Sequence, residues 1–147
     1  MGSDEIMTFL PYCKPFLFVD TLTHISEEGV TGCYTFDKDS YFYKGHFKDN
    51  PITPGVILTE TMAQIGVVCL GIYLMRKELK TSLPAIALSS HEVDFYLPVT
   101  PGEKVTVVSE KQYFRFRKLK CQVNLYNEEG GLVCRGKIAG MIGSNNG

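Results

Sequence analysis

The segment from Val56 to Leu79 decides most of what this chain can become. Its residues are mostly good helix formers, and apolar side chains cover nearly the whole circumference instead of one stripe. A helix of that kind has to be buried, in protein or in a membrane. Ile65 to Met75 is almost wholly apolar, but a bilayer span takes about 20 residues. Extending the stretch backwards meets Gln64 and Glu60, which hydrocarbon penalises. Burial in protein is therefore expected, with no membrane span. Thr53 is placed as the N-cap and Pro54 at the first helical position, where its missing N–H costs nothing. Arg76, Lys77 and Lys80 near the other end suit the helix dipole.

Strands surround this helix in the chain. Phe16 to Ile25 reads as a strand, Glu27-Glu28-Gly29 as a turn, and Val30 to Phe36 as a second strand with loose alternation. Residues 37 to 53 carry Asp, Gly, Asn and Pro without period, so they form a loop, long enough to suggest function. After the helix come strands at Ala85 to Leu88, Glu92 to Tyr96, Lys104 to Tyr113, Arg115 to Tyr126 and Leu132 to Ile142. Turns at Pro98 to Gly102 and Asn127 to Gly131 separate some of them. No repeat or linker is visible, so 1–147 is expected to be one α+β domain: a curved antiparallel sheet wrapped around one long central helix. Such a sheet leaves an edge strand in need of a partner, so dimerisation is expected.

Fifteen Lys and Arg balance sixteen Asp and Glu, for a net charge of -1. That argues against a general nucleic-acid binder, which carries a strongly basic surface. The cysteines at 13, 33, 69, 121 and 134 are odd in number and scattered. They suggest neither a disulfide framework nor a zinc site, so no metal is expected and a reducing cytoplasm is the simplest compartment. No basic segment followed by an apolar run marks a secretory signal.

Chemistry concentrates between Tyr43 and Gln64. A loop histidine, His46, precedes the helix start at Thr53-Pro54-Gly55, and an acid, Glu60, lies inside the helix. Free amides at a helix N-terminus favour negative charge, and Gly55 lets a carbonyl approach its N–H closely. Glu60 follows roughly 7.5 Å along the axis and is expected on a face with Val56, Gln64, Val67 and Gly71. A carboxyl on an apolar face should have a raised pKa, which suits a proton donor, and Gln64 one turn on can orient it. By themselves these residues also fit a surface histidine, a solvated glutamate and an ordinary helix start.

The run His46-Phe47, Pro51-Ile52, Pro54-Gly55-Val56, Glu60 and Ala63-Gln64 closely resembles a known signature. It is that of the (3R)-hydroxyacyl-[acyl-carrier-protein] dehydratases of bacterial fatty acid synthesis, G-H-F-P-G-x-P-I-M-P-G-V-L-x-x-E-A-x-A-Q. The spacing from His46 to Glu60 matches without a gap. Leu10-Pro11 with Pro15 to Asp20 resembles that family's L-P-H-R-Y-P-F-L-L-V-D opening. Val93-Asp94-Phe95, Pro98-Val99 and Pro101-Gly102-Glu103 resemble its F-R-x-P-V-x-P-G-D segment. The resemblance spans nearly the whole chain and implies a hotdog fold.

It further implies that His46 takes the C2 proton and that Glu60 assists departure of the 3-hydroxyl as water. Gly55, with Val56 beside it, would polarise the thioester carbonyl, and Gln64 would position Glu60. No cofactor is implied, because the acyl chain arrives on the phosphopantetheine of acyl carrier protein. The family's acid comes from the partner subunit, so a homodimer with shared sites is implied, with a hexamer built as a trimer of dimers as a further assembly. Lys48-Asp49-Asn50, Thr53 and Tyr12-Cys13 depart from the pattern without removing a catalytic group. They suggest a specialised copy serving an aryl-polyene or other polyketide-like lipid pathway. A related isomerising branch carries Asp at position 60, so Glu60 points to dehydration alone. The basic run Lys111, Arg115, Arg117, Lys118 and Lys120 fits either a carrier-docking patch or a solvated sheet face. Two alternatives stand beside dehydration: a hotdog acyl thioesterase, and a non-catalytic partner of an active paralogue. His24 and His91 lie outside the motif and carry no assigned role.

Overall fold

The apolar segment forms a central helix, Gly55–Leu74, in the computed structural model, which describes residues 1–79 and 85–143. Lys80, expected near the helix end, lies outside the described residues. Of the helix's most apolar stretch 83 % is buried in the fold, so its hydropathy belongs to a core element. It starts at Gly55, one residue later than the sequence suggests, with Pro54 at the N-cap and no side chain capping it. Thr53 cannot cap because it is buried with its hydroxyl hydrogen-bonded to that of Tyr43.

Six strands wrap the helix: β1 (Thr21–Ile25), β2 (Gly29–Thr35), β3 (Ile86–Phe95), β4 (Lys104–Arg115), β5 (Lys118–Tyr126) and β6 (Leu132–Ile142). They form one antiparallel sheet in the order β1-β2-β4-β5-β6-β3. A short helix at Ser3–Thr8 buries Ile6, and a 3-10 turn at Tyr41–Lys44 buries Tyr43 within the long loop. Inward side chains alternate along the strands, as Leu119, Cys121, Val123 and Leu125 do on β5. They meet Ile65, Val68, Leu70 and Ile72 of the helix in one core. This is the hotdog arrangement, a sheet rolled around a helix too apolar to face water.

The helix widens to π geometry over Gln64–Cys69. Ser109 of β4 donates its hydroxyl to the Gly66 carbonyl at 2.8 Å, and a side chain inserted into the helical ladder is a recognised cause of such irregularity. Helix and sheet approach closely there. A Cβ on Gly66 would sit 3.1 Å from both Ser109 Cβ and Val123 Cγ1. Gly66→Ala should therefore destabilise the fold by about 1–3 kcal/mol through overpacking, measured by denaturant unfolding. A loss under about 0.5 kcal/mol, the scatter of surface changes, would contradict the close approach.

Three strand boundaries differ from expectation, each for a local reason. Phe16 to Asp20 does not join β1, because Gln64 of the helix captures the Phe16 carbonyl and the Phe18 amide. The two strands expected after the helix are one, β3, with a bulge between Leu88 and Ser90 against β6. Arg115 belongs to β4, and the hairpin to β5 turns on Phe116 and Arg117, both at positive φ (51° and 60°). Neither residue is the Asn or Gly that signals such a turn.

Candidate active site

Gln64 is the point on which the site is built. It is fully buried, and its side-chain amide uses three polar contacts. Its Oε1 accepts from Phe18 N at 2.8 Å, while Nε2 donates to Phe16 O at 3.1 Å and to Glu60 Oε2 at 3.0 Å. Because one end must accept and the other donate twice, these partners also fix the orientation of the amide. One helical turn separates Glu60 from Gln64, which is the spacing that brings side chains together. The same amide thus holds the carboxyl and staples the N-terminal segment to the helix.

Glu60 is half-buried at the wall of a cavity of about 240 Å³, with Tyr12, Phe16, Val67, Ile86 and Leu88 among its neighbours there. Burial raises the carboxyl above its ordinary pKa, and the Gln64 hydrogen bond offsets that only partly. Ala63 and Val67 share this wall. Val56, expected on the same face, instead lines a second groove and is 75 % exposed. Gly71 packs towards Ile86, Leu119 and Ile142.

His46 is partly buried in the loop before the helix. Its Nδ1 lies 2.9 Å from the Ile52 carbonyl. A carbonyl only accepts, so Nδ1 carries the proton and Nε2 of the neutral ring keeps a free lone pair. The Ile52 amide returns a bond to the His46 carbonyl at 2.7 Å, closing the loop, and the imidazole stacks on Phe47 at 4.2 Å between centroids. Three residues beyond Ile52 stands Gly55. Ile57 and Leu58 both donate to Pro54 O, whereas the Gly55 and Val56 amides donate to no backbone carbonyl among the described residues. A Cβ on Gly55 would lie 3.3 Å from the Phe95 ring, so the missing side chain admits that ring of β3. Gly55, Val56 and Thr59 line an open groove of about 550 Å³ with His91, Val93 and Phe95.

Within one chain, therefore, the expected residues fall into two groups. Glu60 and Gln64 serve the apolar cavity on one side, while Gly55 and Val56 serve the groove on the other, with His46 tied to the helix start. No hydrogen bond or shared cavity joins His46 to Glu60 among the described residues. β3 borders both: Ile86 and Leu88 at one end line the cavity, and His91, Glu92, Val93 and Phe95 at the other line the groove. Reading along the sequence did not find Tyr12 or Phe16 at Glu60. Tyr12 is marked there only by its departure, with Cys13, from the resembling motif, and Phe16 only by lying in the matching opening.

Comparison with known proteins agrees with this architecture. The FabA-like domain model matches residues 10–139. The 3-hydroxyacyl-[acyl-carrier-protein] dehydratase FabZ of Clostridium perfringens (strain SM101 / Type A) is 32 % identical, covering 97 % of this chain and 99 % of its own length. The protein of the same name from Caldicellulosiruptor saccharolyticus is 33 % identical, covering 91 % and 93 %. Among solved structures, the dehydratase heterocomplex ApeI:P from Xenorhabdus doucetiae superposes with a TM-score of 0.80 at 14 % identity, covering 96 % of this chain and 92 % of that one. A hypothetical thioesterase with coenzyme A from Streptococcus pneumoniae TIGR4 gives 0.58 at 11 % identity, covering 82 % and 83 %. These structural likenesses establish the fold, and the sequence likenesses establish kinship along nearly the whole length. On that ground the chain belongs to the FabA-like domain family, in the company of the FabZ dehydratases.

Proposed function

We propose that this protein removes water from a (3R)-3-hydroxyacyl thioester on acyl carrier protein, giving the trans-2-enoyl thioester. The observation that carries the reading is the Glu60 carboxyl, raised by burial and aimed by Gln64 at the wall of an apolar cavity. A carboxyl whose pKa is raised beside apolar surface suits delivery of a proton to a departing hydroxyl. His46 Nε2 takes the C2 proton. The electron pair of that bond forms the C2–C3 double bond, the C3–O bond breaks, and Glu60 protonates the leaving oxygen as water. Charge that gathers meanwhile on the thioester oxygen is met by the unpaired Gly55 and Val56 amides at the helix start. The imidazolium proton then returns to the Glu60 carboxylate through water. Water loss is redox-neutral overall, so no cofactor is named beyond the carrier's own phosphopantetheine.

A homodimer through β3 completes the proposal. β3 is an edge strand of ten residues, and Leu88, Phe95, Tyr96 and Leu97 on or beside it are exposed. Unpaired long edges invite pairing. A two-fold antiparallel pairing sets the Ile86–Leu88 end of one strand against the His91–Phe95 end of its partner. The Glu60 cavity of one chain then meets the Gly55 groove of the other, and His46 and Glu60 are joined across the interface. Further assembly into a trimer of dimers belongs to the same reading.

Carrier docking at the β4–β5 hairpin is supported by Arg115, Arg117 and Lys118 at its end, with Lys111 and Lys120 behind them. Free thiols at all five cysteines fit a cytoplasmic setting. The pathway is fatty acid or related polyketide-like lipid synthesis.

Purified protein incubated with a chain-length series of 3-hydroxyacyl carrier proteins should yield the enoyl product, lighter by one water in mass spectrometry. Free carrier thiol without enoyl product would instead assign a thioesterase. No product at any length would assign the non-catalytic partner.

A further inference from the structure

We propose that the Tyr12 hydroxyl is a third polar group of the site, hydrogen-bonding the departing 3-oxygen beside Glu60. The inference rests on the dehydratase reading and extends it to a residue far from the motif. Tyr12 faces the same cavity as Glu60, in a wall otherwise built from apolar groups such as Phe16, Val67, Val68 and Leu88. Its ring packs against the core, yet its hydroxyl makes no hydrogen bond to any other described residue. An uncommitted donor on a residue that lines an apolar cavity together with an acid is available to a ligand oxygen.

The segment that carries it is held in place. Gln64 grips Phe16 O and Phe18 N, Phe16 N donates to Cys13 O at 2.9 Å, and Leu10 N donates to Met7 O at 3.3 Å. Gln64 thereby sets the position of Tyr12's segment and of Glu60 with one amide. The phenol is also a donor throughout the neutral range. Burial first, then the Glu60 and Cys69 charges, push it up to about 12.

Water loss develops negative charge on the 3-oxygen, and Glu60 can give it only one proton. A second donor at that oxygen is strengthened as the C–O bond stretches, so it acts on kcat more than on KM. Tyr12→Phe keeps the ring and removes only the donor. It should lower kcat about tenfold to a hundredfold, as loss of one hydrogen bond to a charged group does. KM should stay within about twofold, and the unfolding midpoint should not fall. Tyr12→His, which restores a ring donor, should recover part of the lost kcat.

A kcat within twofold of wild type for Tyr12→Phe overturns the inference. So does a rise in KM at unchanged kcat, or an equal loss in Tyr12→Phe and Tyr12→His, since each marks a packing role. Glu60→Gln measured in parallel separates the two levels. If Glu60→Gln is inactive while Tyr12→Phe is normal, only the Tyr12 inference fails. If Glu60→Gln retains full activity, the assignment of Glu60 as the acid fails, and if the wild type forms no enoyl product the dehydratase reading itself fails.

Discussion

Glu60→Gln should lower kcat for water loss by about 10²–10⁴-fold, the range a positioned general acid supplies. The substitution is close to isosteric. The new side-chain carbonyl can still accept from Gln64 Nε2, which reaches Glu60 Oε2 at 3.0 Å in the native chain. Geometry is thus kept and the transferable proton is lost. The pH dependence gives a second signature. Burial raises the Glu60 pKa, and an acid must be protonated to act. Wild-type activity should therefore fall on the alkaline side as pH rises through that raised pKa, and the limb should vanish in Glu60→Gln. Stability follows the same sign. Between the ordinary carboxyl pKa and the raised one, the folded state binds more protons than the unfolded, so stability drops as pH increases. Glu60→Gln should flatten that slope, which thermal unfolding across pH would reveal.

His46→Ala should lower kcat by a similar factor of about 10²–10⁴, because it removes the proposed base. The loop should survive the change, since the Ile52 amide still donates to the carbonyl of residue 46 as it does now at 2.7 Å. What the variant leaves behind is the Ile52 carbonyl without its Nδ1–H partner, in a loop that is only partly buried. Added imidazole should restore a measurable part of the rate if the ring acts as a base. KM should change little. A variant that loses substrate affinity at unchanged kcat would mark His46 as a binding group.

Much of this was legible in the sequence, and the gaps have physical causes. The central helix and the long hairpins stand out because periodicity and turn residues are local signals. The order of His46, Gly55, Glu60 and Gln64 is legible too, since all lie within one continuous segment. Phe16 to Asp20 looks like a strand until Gln64, some 46 to 48 residues away, captures its backbone. Thr53 looks like a cap until Tyr43 takes its hydroxyl. Phe116-Arg117 carries no turn signature, and only the pairing of β4 with β5 holds those residues at positive φ. The distribution of the site over two sides of the helix could not be read at all. Helical spacing put Val56 with Glu60, whereas β3 decides which groove each residue faces. Tyr12 reaches Glu60 only through the fold, so no spacing rule finds it.

In the proposed dimer His46 and Glu60 act together across two chains, and mixed dimers test this directly. His46→Ala and Glu60→Gln chains, each inactive alone, are unfolded together, refolded and assayed for enoyl product. A heterodimer combines one doubly impaired site with one intact site, so random mixing should restore about a quarter of wild-type activity. Recovery near that level is the expected result. Mixed dimers that form but stay as inactive as their parents would contradict a site built by His46 of one chain and Glu60 of the other.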